Sequence, residues 1–565
     1  MSQQAISISY PPAADDRPAR AAGFVGHAKL ISALTLLSRI LGVARESVMA
    51  RYFGAGMVAS AFTVAFRVPN LFRKLLGEGA LSASFIPLYA QAIKSGDREQ
   101  ANRFAAAAVN LLTVILVALT VAGEAGLWAT ARFVQLRPDY RLIVQLTAIM
   151  LPYVLLICGT AFLGGILQVH RRFALPALAP VLLNVVHIAV IVIGARILLL
   201  TRSSGDERIV LQTRLAYWLA GFVVVAGILQ IAMLLPALRQ VGFRPTWIGN
   251  FWTAPVRKML RLSVPVALSA GVLQLSVVLD TAVTVVLTPG PHGGQPLRFF
   301  GHAMAYPMAV GSVFRLYVAQ ILYQFPLGVF AIAVGTAIFP GLGADALDRD
   351  RGRFKRVLRQ GITFTLLEGL PASLGLIIVR YPIIRLLFQR GRFTDADTHW
   401  VALSLVFYAA AIWAFSLQQI LNRAYYALHD MTTPLVMSIV TLALNTAVEI
   451  PLSFTRLGEA GIAAGTLVSF AVQAIVMLFM LDRKIGGLEL KSIGGNVFKM
   501  LVACGLMGAA CWGARGLSFY PHGVGHLVEL GQLAILMGVG AGVYAGACAL
   551  MRVWGSQPTR GGTGV

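Results

Sequence analysis

Charge is what this 565-residue chain has least of: Asp, Glu, Lys and Arg together make up 12% of it, about half the share usual in a soluble domain. So little polar surface points to lipid, not water, as the solvent. Cysteine is scarce too. The four present, Cys158, Cys504, Cys511 and Cys548, all lie in apolar runs and none stands at C-x-x-C spacing. That argues against a disulfide framework or a cysteine zinc site and leaves small buried hydrophobes. No G-x-x-x-x-G-K-[ST] loop occurs, so ATP does not drive this chain directly. His170, His187, His302 and His429 have no partner motif for metal or nucleophile chemistry, and no paired nucleophile and base is seen. Neither a catalytic nor a metal site is expected. Residues 1–27, with Pro11, Pro12, Asp15, Asp16, Arg17 and Arg20, read as a polar tail and lack the short apolar core of a signal peptide.

What the chain has in abundance is apolar sequence: 57% of residues, with a mean hydropathy of +0.75. Runs of about 20 apolar residues, enough to cross a hydrocarbon core of about 30 Å as helix, recur along its length. The ten-residue alternating segments of a membrane barrel are missing. An all-α polytopic membrane protein follows. Fourteen spans are expected, near 29–51, 57–76, 104–131, 141–169, 176–200, 212–238, 258–288, 303–341, 356–381, 399–428, 434–454, 460–481, 496–518 and 527–552.

Orientation comes from lysine. All eight (Lys29, Lys74, Lys94, Lys258, Lys355, Lys484, Lys491 and Lys499) fall at one alternating set of helix ends. The positive-inside bias makes that side cytoplasmic, and an even helix count places both termini there. The same bias accounts for the net charge of +24. No stretch interleaves basic residues with stacking aromatics outside the spans, so nucleic acid is not an expected partner.

The chain repeats itself weakly. Ser84-Phe85-Ile86-Pro87 followed by Arg103-Phe104 is echoed by Ala337-Ile338-Phe339-Pro340 followed by Arg353-Phe354. Gly165-Ile166-Leu167-Gln168, leading to Pro176 and Asn184, is echoed by Gln419-Ile420-Leu421-Asn422, leading to Pro434 and Asn445. Two six-helix lobes of shared orientation are therefore expected, residues 28–240 and 241–482, with a substrate site between them. Residues 483–553 carry the last two spans, outside the duplication, and 554–565 form a second cytoplasmic tail.

Ionisable residues inside the spans mark the candidate site, since a lone charge at mid-membrane costs at least ~2.5–3.5 kcal/mol. The first span holds Ser38, Arg39, Arg45 and Glu46; the second holds Arg67, Asn70, Arg73, Lys74 and Glu78. At 1.5 Å per residue Arg39 lies ~15 Å into its helix, and Arg67, Lys74 and Glu78 share one stripe to within about 20° if the helix is regular. Arg39 and Arg45 point roughly 120° apart, as the walls of a wide cavity would require. Excess positive charge implies an anionic substrate, and the planar fork of arginine suits phosphate. Asp280 is the best-placed acid for coupling to a proton or sodium ion. Arg315, Gln320 and Gln324 are further expected cavity residues.

These residues also carry a family resemblance. Ser38-Arg39-Ile40-Leu41-Gly42-Val43-Ala44-Arg45-Glu46, then Phe53-Gly54-Ala55-Gly56-Met57, Ala65-Phe66-Arg67-Val68-Pro69-Asn70-Leu71-Phe72-Arg73 and Gly77-Glu78-Gly79-Ala80 closely resemble the MurJ (MviN) family of bacterial lipid II flippases. Gln324-Phe325-Pro326-Leu327-Gly328-Val329, Gly391-Arg392-Phe393-Thr394 and Ala424 to Pro434 extend the resemblance over roughly residues 28–550. It implies fourteen helices in two lobes around a cationic cavity, with the last two helices forming a groove for a lipid tail. It also implies lipid II (undecaprenyl-diphosphate-linked disaccharide-pentapeptide) as cargo, the bacterial inner membrane as location, and cell-wall synthesis machinery among the partners besides membrane lipids. Arg39, Arg45 and Arg73 match the arginines thought to bind the diphosphate. No cofactor is implied; the choice between membrane potential and an ion as driving force is left open. Two positions depart from the family pattern: Ser60 replaces a frequent acid, and Ile321 stands where an arginine is usual. An exporter of another lipid-linked oligosaccharide, and a non-transporting membrane scaffold, are the competing readings.

Overall fold

Deprived of water, a backbone inside a bilayer must satisfy every N–H and C=O within its own segment, and helix does this for an apolar run. The computed structural model of the protein, which describes residues 18–290, 296–299, 302–337, 351–518, 520–523 and 525–553, is accordingly helical almost throughout. Its first part comprises α1 (Pro18–Phe53), α2 (Met57–Phe72), a π-helical stretch (Arg73–Ala80), α3 (Leu81–Lys94), α4 (Arg98–Phe133), α5 (Pro138–Met150), α6 (Tyr153–Val169), α7 (Ala174–Ile197) and α8 (Gly205–Gln240). Next come α9 (Ala254–Val286), a two-stranded antiparallel hairpin of β1 (Leu297–Phe299) and β2 (His302–Met304), and α10 (Ser312–Ala337). The rest is α11 (Arg351–Leu387), α12 (Asp395–Ala410), α13 (Ile412–Ala427), α14 (Thr432–Ser453), α15 (Ala460–Ile485), α16 (Leu490–Ala514) and α17 (His526–Leu550).

Helix fills the greater part of every expected span, and the protein is an all-α, multi-pass membrane protein. Among the described residues nine helices, α12 and α13 together counting as one, are long and apolar enough to cross a bilayer, ten if α5 and α6, bent by 44° across Leu151–Pro152, also count as one. That is fewer than the fourteen crossings expected. The helix α1, with Arg39, Arg45 and Glu46 along it, is not among the nine. Two boundaries also differ. Helix α1 begins at Pro18, ahead of residue 29, and the run expected from 303 starts as strand and loop because Pro307 and Gly311 (φ +95°) interrupt it. Residues 1–17 and 554–565 of the expected tails, and the repeat segment Ile338-Phe339-Pro340, lie outside the described residues.

Packing falls into two groups. In the first, α1 lies on α7, α2 on α5, and α6 and α7 on α8. In the second, α10 lies on α12, α11 on α12 and α13, and α15 on α12, α13 and α14. Helix α9 is shared. It packs on the π-helical stretch and α3 of the first half, where the Ser84 and Ser263 hydroxyls meet at 2.5 Å, and also on α14 of the second. Helices α16 and α17 pack on each other and on α11, where Tyr544 Oη donates to the Leu367 carbonyl at 2.9 Å.

Candidate anion-binding cavity

Between the halves lies a cavity of about 1530 Å³. From the first half Ser38, Arg39, Arg45, Arg67, Asn70, Arg73 and Lys74 line it; from the second come Asp280, Gln320 and Gln324, with Ile321 beside them. No lysine or arginine of the second half is among the described lining residues. Glu78, also expected here, has its side chain outside the described residues.

Local sequence explains how α2 presents its cations. Pro69 lacks an N–H and interrupts the helical ladder; Asn70 Nδ2 donates to the Phe66 carbonyl at 3.0 Å. A π-helical stretch follows at Arg73, the kind of irregularity that clusters at functional sites. It changes the angular step per residue, so the stripe inferred for Arg67, Lys74 and Glu78 on a regular helix does not continue through it. Arg67 and Lys74 reach the same cavity all the same.

Each arginine has a distinct setting. Arg39 makes no hydrogen bond or ion pair among the described residues; its guanidinium lies against Gly328 of α10, where an added Cβ would come within 1.7 Å of Nη1. Arg45 pairs with its neighbour Glu46, donating from Nε at 2.8 Å, and donates from Nη1 to Asn184 Oδ1 at 3.2 Å. Asn184 Nδ2 in turn donates to the Ser38 carbonyl at 3.1 Å, tying α7 to the part of α1 that carries Arg39. Tyr317 of α10 joins this group from across the cavity: its hydroxyl accepts from Arg45 Nη2 at 3.5 Å and donates to Glu46 Oε1 at 3.4 Å. Arg67 also reaches across, donating to Thr281 Oγ1 and, at 2.8 Å, to Gln320 Oε1, with its guanidinium 5.4 Å from the Tyr317 ring centroid.

Asp280 sits in a buried polar cluster. Asn445 Nδ2 donates to Asp280 Oδ1 at 2.8 Å and to Glu449 Oε2 at 3.1 Å, while Ser469 donates to Asn445 Oδ1 at 3.1 Å. Glu449 Oε1 is buried without a hydrogen-bond partner among the described residues. Gly465 makes room for Glu449, whose Cβ would lie 2.7 Å from a Cβ placed there.

Arg315 is not where the sequence suggested. It does not line the cavity and is 4% exposed. Its Nη2 donates to Glu459 Oε2 at 2.6 Å and its Nη1 to Asp397 Oδ1 at 3.2 Å. The acids that claim it come from distant stretches, before α15 and within α12, and no local spacing could have announced them.

At the helix ends away from most of the lysines the two halves meet, through main chain and side chains. Arg392 N donates to the Arg51 carbonyl at 3.0 Å, and Ser47 Oγ donates to the Leu387 carbonyl. Gly311 lies so near that a Cβ there would stand 1.9 Å from the Ala55 carbonyl oxygen. Arg137, in the loop before α5, donates from Nη2 to the Thr288 carbonyl at 3.2 Å and from Nη1 to Tyr306 Oη at 3.3 Å. Its hydrogen bond to Asp139, opposed by burial, holds the guanidinium pKa above its ordinary value.

Two helical halves around a cation-lined chamber define the class, a fold shared with solved lipid and multidrug transporters. A solved lipid II flippase MurJ in an inward closed conformation superposes with a TM-score of 0.67 at 22% identity, covering 92% of this chain and 98% of that one. An inward-facing MATE family multidrug transporter of the MOP superfamily gives 0.61 at 16% identity, covering 82% and 99%. In sequence, the family described as "Lipid II flippase MurJ" matches residues 49–532. The probable lipid II flippase MurJ of Rhizobium meliloti (strain 1021) is 30% identical over 498 residues, 87% of this chain and 86% of that protein. The lipid II flippase MurJ of Burkholderia cenocepacia is 31% identical over 466 residues, 80% and 83% of the two chains. The chain belongs to the MurJ family.

Proposed function

We propose that this protein flips lipid II from the inner to the outer leaflet of the bacterial cytoplasmic membrane by alternating access. The observation that carries this reading is the one-sided charge of the chamber: Arg39, Arg45, Arg67, Arg73 and Lys74 face an amide- and hydroxyl-rich wall. A diphosphate is the part of lipid II that such a surface selects, because arginine offers paired donors to its oxygens and the bonds are charge-assisted. Arg39, Arg45 and Arg73 take the diphosphate. The lysine face is cytoplasmic, as are both termini, so the closed end is the outer one and this conformation belongs to the loading part of the cycle. The polyprenyl tail stays in lipid beside α16 and α17, outside the chamber. Binding and conformational change suffice for this reading, and no chemical step is assigned to the protein.

Asp280 and Glu449 supply the coupling. Two carboxylates on one asparagine amide repel unless a proton or a small cation is shared between them, and that occupancy can change with the state of the second half. Asp280→Asn should leave binding of undecaprenyl diphosphate intact and slow flipping; unchanged flipping in proteoliposomes would remove the coupling role.

The deciding experiment depletes a bacterium of its own flippase and supplies this chain. Restored growth, with lipid II becoming accessible at the outer surface, is expected. Failure with the protein present in the membrane would overturn the reading. Outward accessibility of a different lipid-linked oligosaccharide would instead favour the related exporter.

A further inference from the structure

Arg67 is bound to the wrong half of the molecule. It rises from α2, yet both of its hydrogen bonds among the described residues go to the second half, to Thr281 of α9 and Gln320 of α10. Those acceptors are set in advance. The Thr281 hydroxyl gives its proton to the Val277 carbonyl at 2.6 Å, leaving its lone pairs for Arg67. The Gln320 amide donates to Tyr408 Oη at 3.1 Å, which turns its carbonyl oxygen to the guanidinium. A cation that lines the cavity therefore also ties the two halves together.

Resting on the flippase reading, we propose that Arg67 is a further diphosphate-binding residue and a shared one, held by Thr281 and Gln320 until the diphosphate draws it away and frees the halves to separate. The physical basis is competition for the same donors. A guanidinium has five N–H groups in a fixed fork, and its bonds to phosphate oxygens, charged on both sides and paired through that fork, are stronger than those to neutral acceptors. When the diphosphate enters, the exchange is favourable for Arg67 and removes two bonds that span the cavity. Tyr317, which meets Arg45 and underlies Arg67, lies one turn before Gln320 on α10, so both arginines lose contact with the same face of that helix. Substrate binding and release of the halves become one event. A ligand shifts such an equilibrium only through contacts that differ between the two states, and here the differing contact is the arginine itself.

The test uses the full chain in lipid nanodiscs with undecaprenyl diphosphate as probe. Spin labels at Phe133→Cys and Arg456→Cys report the distance between the halves; both positions are exposed, and the four native cysteines are buried. In the otherwise unaltered protein the probe should bind and lengthen that distance. Arg67→Gln should lengthen it without probe and weaken probe binding roughly tenfold or more. The double variant Thr281→Val/Gln320→Leu should also lengthen it without probe, yet bind the probe as tightly as the unaltered protein or more so, because its Arg67 is released. Arg67→Lys, which keeps charge and loses the fork, should fall between. A brace with no ligand role predicts something else: Arg67→Gln and the double variant would change probe binding alike. That result, or unaltered binding by Arg67→Gln, overturns the proposal while leaving the flippase reading in place. If the unaltered protein binds no probe, both fall.

Discussion

The two walls of the chamber differ in kind. The first half contributes every described cation that lines it, and the second half contributes amides, hydroxyls, tyrosines and Asp280. A cavity with cations on both walls would push its halves apart when empty. Here the empty chamber has an internal partner for its charge, so closure on the far side is favoured until a stronger anion arrives. On the proposed function, the asymmetry also assigns labour: one half recognises and the other answers.

The largest effect should come from Arg39, which has no hydrogen-bond or ion-pair partner among the described residues. Arg39→Ala is expected to abolish flipping while the protein still accumulates in the membrane, since removal deletes a charge-assisted contact of about 1.5–3 kcal/mol, roughly ten- to a hundredfold in affinity. Arg39→Lys should be impaired as well, because a point charge does not reproduce the fork. Complementation by Arg39→Ala at normal abundance would break the comparison, for the cationic wall would then not be the recognising one.

Next comes Arg315, a cation of the second half that does not line the chamber. Arg315→Ala leaves Glu459 buried and unpaired, a change that costs about 3–5 kcal/mol. Thermal unfolding in detergent should show the loss, with binding of undecaprenyl diphosphate by the protein that remains folded unchanged. Weakened binding at equal stability would put Arg315 among the recognition residues after all.

Ile321→Arg sharpens the contrast by placing a cation on the wall that has none among the described residues. It should tighten undecaprenyl diphosphate binding by about tenfold or less and slow the return to the empty closed state, where the new charge would face Arg67 across Gln320. Binding unaltered within error would show that the second wall does not approach the diphosphate.

Much of this was legible in the sequence, and the illegible part has one cause. Runs of apolar residues located the helices, because lipid leaves a backbone few options. Charges inside those runs located the first wall, because each is costly enough to need a reason. Partners were a different matter. Glu459 lies 144 positions from Arg315 and Gln320 lies 253 from Arg67, and periodicity along one helix says nothing about which helix faces it. The same limit hid Asn184, which steadies the Arg39–Arg45 segment from α7; its place in the internal repeat was the only local hint. Spacing failed even along one expected span, where the π-helical stretch that follows α2 altered the angular step that a regular helix would keep.

The close approach of Gly311 to Ala55 at the far end has an electrical consequence. A chamber of about 1530 Å³ has room for roughly fifty waters at about 30 Å³ each, and a water column open at both ends would conduct. Across an energised membrane each elementary charge that leaks through gives up about 2.3 kcal/mol per 100 mV. Main chain set against main chain at Gly311 and Ala55 leaves no room for a side chain at that point, so the seal there insulates as well as closes. Gly311→Val should therefore show itself as a leak current in planar bilayers; a silent membrane would place the insulation elsewhere.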